Sequence, residues 1–360
     1  MGLAMRTAVT GGAGFLGSHL CAALLERGAH VVCLDNFVTS EPANLTGIRD
    51  HPRFELIDTD VSQAAWVGGP LDAVIHLACP ASPTDYLRLP VETMRVGSSG
   101  TEHALDLAAK KGARFVLAST SEVYGDPLQH PQREDYWGNV NPVGPRSVYD
   151  ESKRYAEALT CAYRNSYRVD TGIVRIFNSY GPRMRPNDGR AIPTFAWQAL
   201  SGRPITVAGD GSQTRSLCYV DDTIRGLLAM ATTSYPGPVN IGSAEEITVL
   251  HLAELVRQAT GSRSEIVFVD LPENDPLVRR PDISRARQAL GWEPSVSLAD
   301  GLARTLPWFA ELWAGRNGHT RGDGHPSGDG HARGDGDGDG HADVGAPRSS
   351  DSAARSTSST

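Results

Sequence analysis

The sequence predicts an α/β fold, a doubly wound parallel sheet with helices on both faces. Short apolar runs alternate with longer segments whose apolar residues recur at helical spacing. This alternation is typical of βαβ units, because two parallel strands need a crossover segment that is usually a helix. A glycine-rich turn after the first strand and a Tyr-x-x-x-Lys motif after a later one support the same fold. The predicted strands are residues 7–9, 30–34, 54–57, 73–77, 114–118 and 172–177, and the main predicted helices are 91–111 and 148–167.

The glycine-rich turn follows the first predicted strand and opens a helical pattern. Gly11, Gly14 and Gly17 permit a tight turn, close approach of the backbone to a pyrophosphate, and close helix–strand packing. The second strand ends at Asp35, about 20 residues further on, where a carboxylate accepts hydrogen bonds from a ribose diol and repels a 2′-phosphate. We therefore predict a Rossmann-type site that binds NAD rather than NADP.

A candidate proton relay lies at the carboxyl end of the strand at residues 114–118. Tyr149 and Lys153 are one helical turn apart and project from the same face of their helix. The ammonium group can hold the phenol near the charge state of a general base, and a hydroxyl upstream can complete the relay. Thr120, Ser121 and Glu122 follow the strand at the edge where open α/β sheets bind ligands. The sequence therefore predicts catalysis at this edge.

Composition excludes several classes of function. The chain has 360 residues, 40% of them hydrophobic, and a formal net charge of −8. It can bury a large core in one or two domains, and its negative charge argues against a nucleic-acid partner. No apolar run is long enough to span a bilayer, so we expect no membrane partner. Five dispersed cysteines are typical of reduced thiols in a cytoplasmic protein.

We divide the chain into three segments. Residues 1–180 are predicted to form the NAD-binding Rossmann domain, and residues 181–314 a smaller substrate-binding lobe interleaved with it. Residues 315–360 are rich in Gly, Asp and His, bury too little apolar surface to offset their ordering entropy, and are predicted to be disordered. Residues 335–340 imitate the start of an EF-hand loop, but Ala346 stands where the closing Glu is needed. We therefore predict no metal site.

Four further segments resemble the extended short-chain dehydrogenase/reductases that act on nucleotide sugars, and among them the UDP-glucuronate decarboxylases. They are residues 76–83, 118–127, 135–138 and 187–190, and the resemblance covers roughly residues 5–312. Related 4,6-dehydratases carry an acid where this chain has Ser121, and use it to expel the sugar 6-hydroxyl as water. A decarboxylase needs no acid at that point, because its C6 carboxylate leaves as carbon dioxide.

The resemblance implies a three-step reaction on UDP-glucuronate. Tyr149 removes the C4 hydroxyl proton as hydride passes to NAD. The C6 carboxylate of the resulting β-keto acid leaves as carbon dioxide, while Tyr149 and Thr120 hydrogen bond to the C4 oxygen. Protonation at C5 and return of the hydride to C4 then give UDP-xylose. The implied catalytic residues are Thr120, Glu122, Tyr149, Lys153 and Arg279.

The resemblance also implies the binding residues. Those assigned to the cofactor are Gly11, Gly14, Phe15, Leu16, Gly17, Asp35, Asn36, Asp60, Val61, Leu77, Ala78, Tyr149 and Lys153. Those assigned to the UDP-sugar are Ser82, Ser121, Asn178, Arg190, Arg215, Tyr219 and Arg279. Arg190 and Arg215 are placed at the nucleotide end, where a guanidinium fork fits phosphate, and Arg279 at the reacting end near Glu122. In similar enzymes the helices that match 91–111 and 148–167 meet across a two-fold axis, so we expect a homodimer.

Two positions depart from the family pattern, and three other functions stay open. Gly97 stands where an Asn is expected, and Ser152 replaces the Gly usual in this subfamily. One alternative is a UDP-sugar 4-epimerase, which would keep the carboxylate, and another is a 4,6-dehydratase, which Ser121 disfavours. The third is an NAD-binding regulatory protein without catalytic activity, which has no need of the relay of Tyr149 and Lys153.

Overall fold

The structure, a computed structural model, describes residues 5–272 and 276–319. The strands are β1 (Arg6–Thr10), β2 (His30–Asp35), β3 (Phe54–Asp58), β4 (Ala73–His76), β5 (Arg114–Thr120), β6 (Thr171–Ile176), β7 (Ser179–Tyr180), β8 (Ile205–Ala208), β9 (Thr214–Arg215), β10 (Cys218–Tyr219), β11 (Val239–Ile241), β12 (Ile247–Thr248) and β13 (Ile266–Val269). The helices are α1 (Phe15–Glu26), α2 (Pro83–Arg88), α3 (Pro90–Arg95), α4 (Thr101–Lys111), α5 (Ser147–Tyr167), α6 (Ala191–Leu200), α7 (Val220–Ala231), α8 (Val249–Ala259), α9 (Ser284–Leu290) and α10 (Leu298–His319).

A seven-stranded parallel sheet forms the centre, in the order β11-β6-β5-β4-β1-β2-β3. The strand order reverses between β1 and β4, so a crevice opens there beyond the carboxyl ends of the strands. All seven residues of β5 are buried, as expected for a strand that is covered on both faces. The predicted fold class is confirmed.

Helices cover both faces of the sheet. On one face, Leu105 of α4 and Ala156 of α5 pack with Phe115 of β5. On the other face, Leu20 of α1 and Leu227 of α7 belong to a second cluster that includes core residues of the later segment. The helix predicted at 91–111 is present but interrupted, because a π-helical turn at residues 96–100 separates α3 from α4.

The later part of the chain adds short elements and also returns to the main sheet. Strands β8 and β13 form a parallel pair flanked by α6 and α8. Helix α7 packs on β5 and β6, and β11 pairs with β6 at the edge of the large sheet. Helix α10 ends at His319, inside the segment 315–360 that was predicted as a disordered tail. The remainder of that segment, with the EF-hand-like stretch 335–340, lies outside the described residues.

Candidate active site

Close backbone packing requires glycine at two positions of the loop between β1 and α1. Gly11 has a φ of 69°, and a Cβ added there would lie 2.8 Å from the backbone N of Ala78. A Cβ at Gly17 would overlap the carbonyl oxygen of Gly11. Helix α1 begins directly after Gly14, and no side chain caps it. The helix amides and the positive end of the helix dipole therefore form a site suited to a diphosphate.

Asp35 ends β2 beside this loop. Its carboxylate accepts hydrogen bonds from the backbone N of Ala13 (2.8 Å), the backbone N of Phe37 (2.9 Å) and the Oγ of Ser40 (2.7 Å). A carboxylate offers about four acceptor positions, so this one can still accept a bond from a ribose hydroxyl. The arrangement fits the adenosine half of NAD.

The other predicted cofactor residues lie along the same edge. Leu77 and Ala78 follow β4, and both backbone amides donate to Thr10, the last residue of β1. Asp60 accepts a bond from the Ser62 amide at 2.9 Å, and Val61 is buried. These residues therefore follow the carboxyl ends of β4 and β3, on the same edge of the sheet as the glycine loop.

Tyr149, Thr120 and Lys153 come together at the carboxyl end of β5. The Thr120 hydroxyl is near enough to the Tyr149 phenol to lower its pKa, and the Lys153 ammonium donates to the Ala118 carbonyl at 2.9 Å. The Lys153 Nζ lies 5.9 Å from the Tyr149 ring centroid. The ring also stacks on Tyr86, with centroids 5.2 Å apart and planes 6° from parallel. The phenol is therefore held by a hydroxyl, a cation and an aromatic ring.

The protonation of Tyr149 differs from the expectation that Lys153 keeps the phenol acidic. Burial raises the pKa of Tyr149 well above its ordinary value, and Cys79 raises it further, while the Thr120 hydrogen bond and Arg190 lower it. Desolvation is thus the largest influence that this chain exerts on the pKa of Tyr149.

Glu122 lies in the turn after β5, between two guanidinium groups. Its Oε2 lies 2.7 Å from Arg146 Nη2 and 3.2 Å from Arg279 Nη2. Burial alone would raise the pKa of Glu122, but Arg279, Arg146 and Arg215 together lower it to about 2. Arg279 is 1% exposed and also donates to the Ser121 carbonyl oxygen. This buried ion-pair network fixes Glu122 in its charged form next to the relay.

The structure places the remaining predicted substrate residues unequally. Ser82 is buried and caps α2, where its hydroxyl donates to Asp85 Oδ2 at 2.7 Å. Arg190 precedes α6, 2.9 Å from Asp188, and acts on the pKa of Tyr149. The described contacts of Tyr219 join it to Tyr180 and Arg304 rather than to the relay.

The assignments of Asn178 and Arg215 to the substrate stay predictions. Asn178 lies between β6 and β7, where its carbonyl accepts from the Cys218 amide at 2.9 Å. Arg215 lies in β9 and contributes to the low pKa of Glu122. The electrostatic effects of the arginines therefore do not separate a nucleotide end from a reacting end, because Arg215 also lowers the pKa of Glu122 at the reacting end.

Sequence reasoning missed three residues that contact or flank the relay. Arg146 comes three residues before Tyr149, at the entry of α5, a position one turn from a catalytic side chain that could have drawn attention to it. Asp150 follows Tyr149 and is 5% exposed, but a charged residue in the first turn of a helix is common. Tyr86 carries no local signal, since only the fold brings it onto Tyr149.

Known proteins of similar sequence have related names. Residues 7–242 match the family described as the NAD dependent epimerase/dehydratase family. A protein of Arabidopsis thaliana named UDP-glucuronic acid decarboxylase 1 is 49% identical over 302 residues, which are 84% of this chain and 69% of that protein. A protein of the same name from Danio rerio is 47% identical over 305 residues, 85% of this chain and 72% of that protein.

A solved structure has a similar fold. It is the UDP-glucuronic acid 4-epimerase of Bacillus cereus in complex with UDP-glucuronic acid and NAD, which matches with a TM-score of 0.76 and 31% identity. The match covers 86% of this chain and 100% of that one. With a glycine loop and Asp35 that fit a dinucleotide, and with most of its length matched, this chain belongs to the NAD dependent epimerase/dehydratase family.

Proposed function

We propose that this protein is a carboxy-lyase that converts UDP-glucuronate to UDP-xylose and carbon dioxide, with NAD as a cofactor that is regenerated in each cycle. The observation that carries the proposal is the ion pair of Glu122 with the buried Arg279 beside the relay, in which Arg279 also donates to the carbonyl of the uncharged Ser121. The relatives named UDP-glucuronic acid decarboxylase support the same activity.

The reaction begins with proton removal by Tyr149. The phenolate of Tyr149 takes the proton of the sugar C4 hydroxyl, and the Thr120 hydroxyl stabilises that phenolate. Lys153, anchored on the Ala118 carbonyl, favours the phenolate through its charge. Bound NAD supplies the oxidation of C4 to a ketone and its reduction at the end of the cycle.

Decarboxylation then depends on how the ketone and carboxylate are held. When the C5–C6 bond breaks, its electron pair moves toward the C4 oxygen, where hydrogen bonds from Tyr149 and Thr120 stabilise the charge. Arg279 is rigid because it is buried and bound to Glu122 and the Ser121 carbonyl. Because its side chain is already fixed in one conformation, this guanidinium can orient an anionic sugar.

Ser121 decides between this chemistry and dehydration. Loss of the 6-hydroxyl as water needs an acid near C6, and a serine hydroxyl has no useful acidity near neutral pH. Glu122 does not replace that acid, because a carboxyl with a pKa of about 2 carries no proton to donate. These two residues disfavour the 4,6-dehydratase alternative.

The 4-epimerase alternative is favoured by one neighbour, since the Bacillus cereus epimerase is in complex with UDP-glucuronic acid and shares the fold. The test is incubation of purified protein with UDP-glucuronate, without added reductant, followed by mass analysis. A UDP-pentose lighter by one carbon dioxide supports decarboxylation, whereas an isomer of unchanged mass rejects it in favour of the epimerase. A released 4-keto pentose with equimolar NADH would mean that the cycle stops before the final reduction. Recovery of unchanged substrate would favour the non-catalytic NAD-binding alternative.

The proposal includes a homodimer in the cytoplasm. Val91 and Met94 of α3 and Tyr155 of α5 are large apolar residues exposed on the helices expected to pair. All five cysteines carry free thiols, as a reducing compartment requires. Light scattering at micromolar concentration tests the assembly, and a monomer throughout would contradict it. No helix in the described part of the chain is long and apolar enough to cross a membrane.

A further inference from the structure

The proposed reaction consumes one proton in each cycle, and this inference rests on that proposed function. The sugar carboxylate is an anion, but it leaves as neutral carbon dioxide, and C5 must gain a hydrogen. The proton that Tyr149 takes from the C4 hydroxyl is needed again when C4 is reduced. A second proton must therefore enter a site in which Tyr149, Lys153 and Arg279 are buried.

A cavity of about 240 Å³ connects this buried region with the surface. Glu122, Arg146 and Asp150 line it together with Asp126, Asn139 and Val140. The first three belong to or flank the ion-pair network, whereas Asp126 and Asn139 are exposed. With a water occupying about 30 Å³ in the liquid, the cavity has room for several water molecules.

Asp150 is the carboxyl in this cavity whose bonding is incomplete. Its side chain is 5% exposed, and its Oδ1 has no hydrogen-bond partner within the described residues. Four charged groups act on it: Glu122 from the turn after β5, Arg146 before α5, Arg279 from the later segment, and Glu151 on its own helix. Burial and the charge of Glu122 raise the pKa of Asp150 to about 7, while Arg146 and Arg279 oppose that rise. A carboxyl in this state can release and regain a proton near neutral pH.

Glu122, the other buried-side carboxyl that lines this cavity, cannot fill the same role. Arg279 and Arg146 hold its pKa at about 2, so it stays ionised at the pH of the cell. Glu122 and Asp150 thus have pKa values pushed far apart by their surroundings, a separation that often distinguishes an acid from a fixed charge.

We propose that this cavity is the route by which the consumed proton reaches the sugar, and that Asp150 is the carboxyl that exchanges this proton with solvent. When carbon dioxide leaves, the C5–C6 electron pair becomes the enolate. The O–H bond of Asp150 then breaks, its proton passes by water in the cavity to C5, and the enolate pair forms the new C5–H bond. The Asp150 carboxylate regains a proton from solvent through the exposed end near Asp126.

The test is a single turnover of NAD-loaded enzyme in excess over UDP-glucuronate. It records carbon dioxide release, NADH formation and NADH decay. In Asp150→Asn, carbon dioxide release and NADH formation should match the control, whereas NADH decay should slow about 10²-fold, because C5 must be protonated before the ketone is reduced. Asp126→Asn is the matched control, since it removes a carboxylate from the exposed end of the same cavity.

The pH dependence and a second variant separate a proton route from a structural role. In the wild-type enzyme, the rate of NADH decay should fall as pH rises above about 7, the pKa of Asp150. In Asp150→Asn, the rate should no longer depend on pH in this range. Val140→Phe, which narrows the cavity without changing a charge, should also slow NADH decay. Equal NADH decay in Asp150→Asn and Asp126→Asn overturns the proposal, as does a loss of NADH formation in Asp150→Asn. If Asp150→Asn does not fold, an unchanged decay rate in Val140→Phe overturns it. If the unchanged enzyme releases no carbon dioxide, the proposed function itself fails.

Discussion

Gly97 packs so closely against Ser152 that a Cβ added to Gly97 would overlap the Cβ of Ser152 and lie 3.0 Å from its Oγ. Gly97 lies in the π-helical turn between α3 and α4, and Ser152 lies on α5 next to Lys153. The two departures from the family pattern therefore meet at one contact, where Ser152 fits because residue 97 has no side chain. Such close approach leaves no room for a side chain on both.

The Gly97 and Ser152 contact predicts a rescue. Gly97→Ala should lower the free energy of unfolding by about 1–3 kcal/mol, because an extra methyl group in a filled contact forces backbone shifts. Adding Ser152→Gly should restore most of that loss. Urea unfolding of both single variants and the double variant measures the coupling. Gly47→Ala is the control, since its Cβ would meet nothing within 4 Å. Additive losses in the double variant would contradict the steric account.

Tyr149→Phe tests the relay. It deletes the phenolic oxygen and keeps the stacking on Tyr86, so folding and NAD binding should survive. NADH formation after mixing with UDP-glucuronate should fall about 10²–10⁴-fold, the usual contribution of a positioned general base. Tyr155→Phe on the exposed side of the same helix should form NADH normally. If Tyr149→Phe turned over at the wild-type rate, the relay assignment and the mechanism that depends on it would be wrong.

Arg279→Ala should separate oxidation from decarboxylation. Without this guanidinium the sugar carboxylate and ketone are held poorly, while Tyr149, Thr120 and Lys153 remain in place. Absorbance should show transient NADH, and carbon dioxide release should slow more than NADH formation does. Arg280→Ala, at the neighbouring and more exposed arginine, provides the comparison. An Arg279→Ala enzyme with normal carbon dioxide release would assign the ion pair to folding alone.

Asp150 predicts a pH-dependent effect on stability. Its folded pKa of about 7 lies above the ordinary value of 3.8, so the native state binds a proton more tightly than the unfolded chain. That stabilisation is complete below pH 3.8 and is lost as pH rises toward 7. Asp150→Asn should therefore unfold with a free energy on the order of 2–4 kcal/mol higher than the unchanged protein at pH 8, but with a similar one near pH 4. Urea unfolding at both pH values tests this, and an equal difference at both would contradict the raised pKa.

The sequence by itself determined the fold and the local parts of the site. The glycine loop, Asp35 at the end of β2 and the spacing of Tyr149 and Lys153 are properties of neighbouring residues, so turn chemistry and helical periodicity are enough to predict them. The alternation of strands and helices likewise predicts a parallel sheet, because crossover connections leave few other arrangements.

Only the tertiary structure decided which charges surround the relay. Arg279 reaches Glu122 across 157 residues of sequence, and Tyr86 reaches Tyr149 from another helix. The pKa values of Glu122 and Asp150 are set in opposite directions by burial and by arginines from separate segments, and neither effect is local in sequence. For the same reason the overlap of Gly97 with Ser152 and the cavity beside Asp150 have no signature in the linear chain. Both arise where packed helices meet and distant segments enclose a volume.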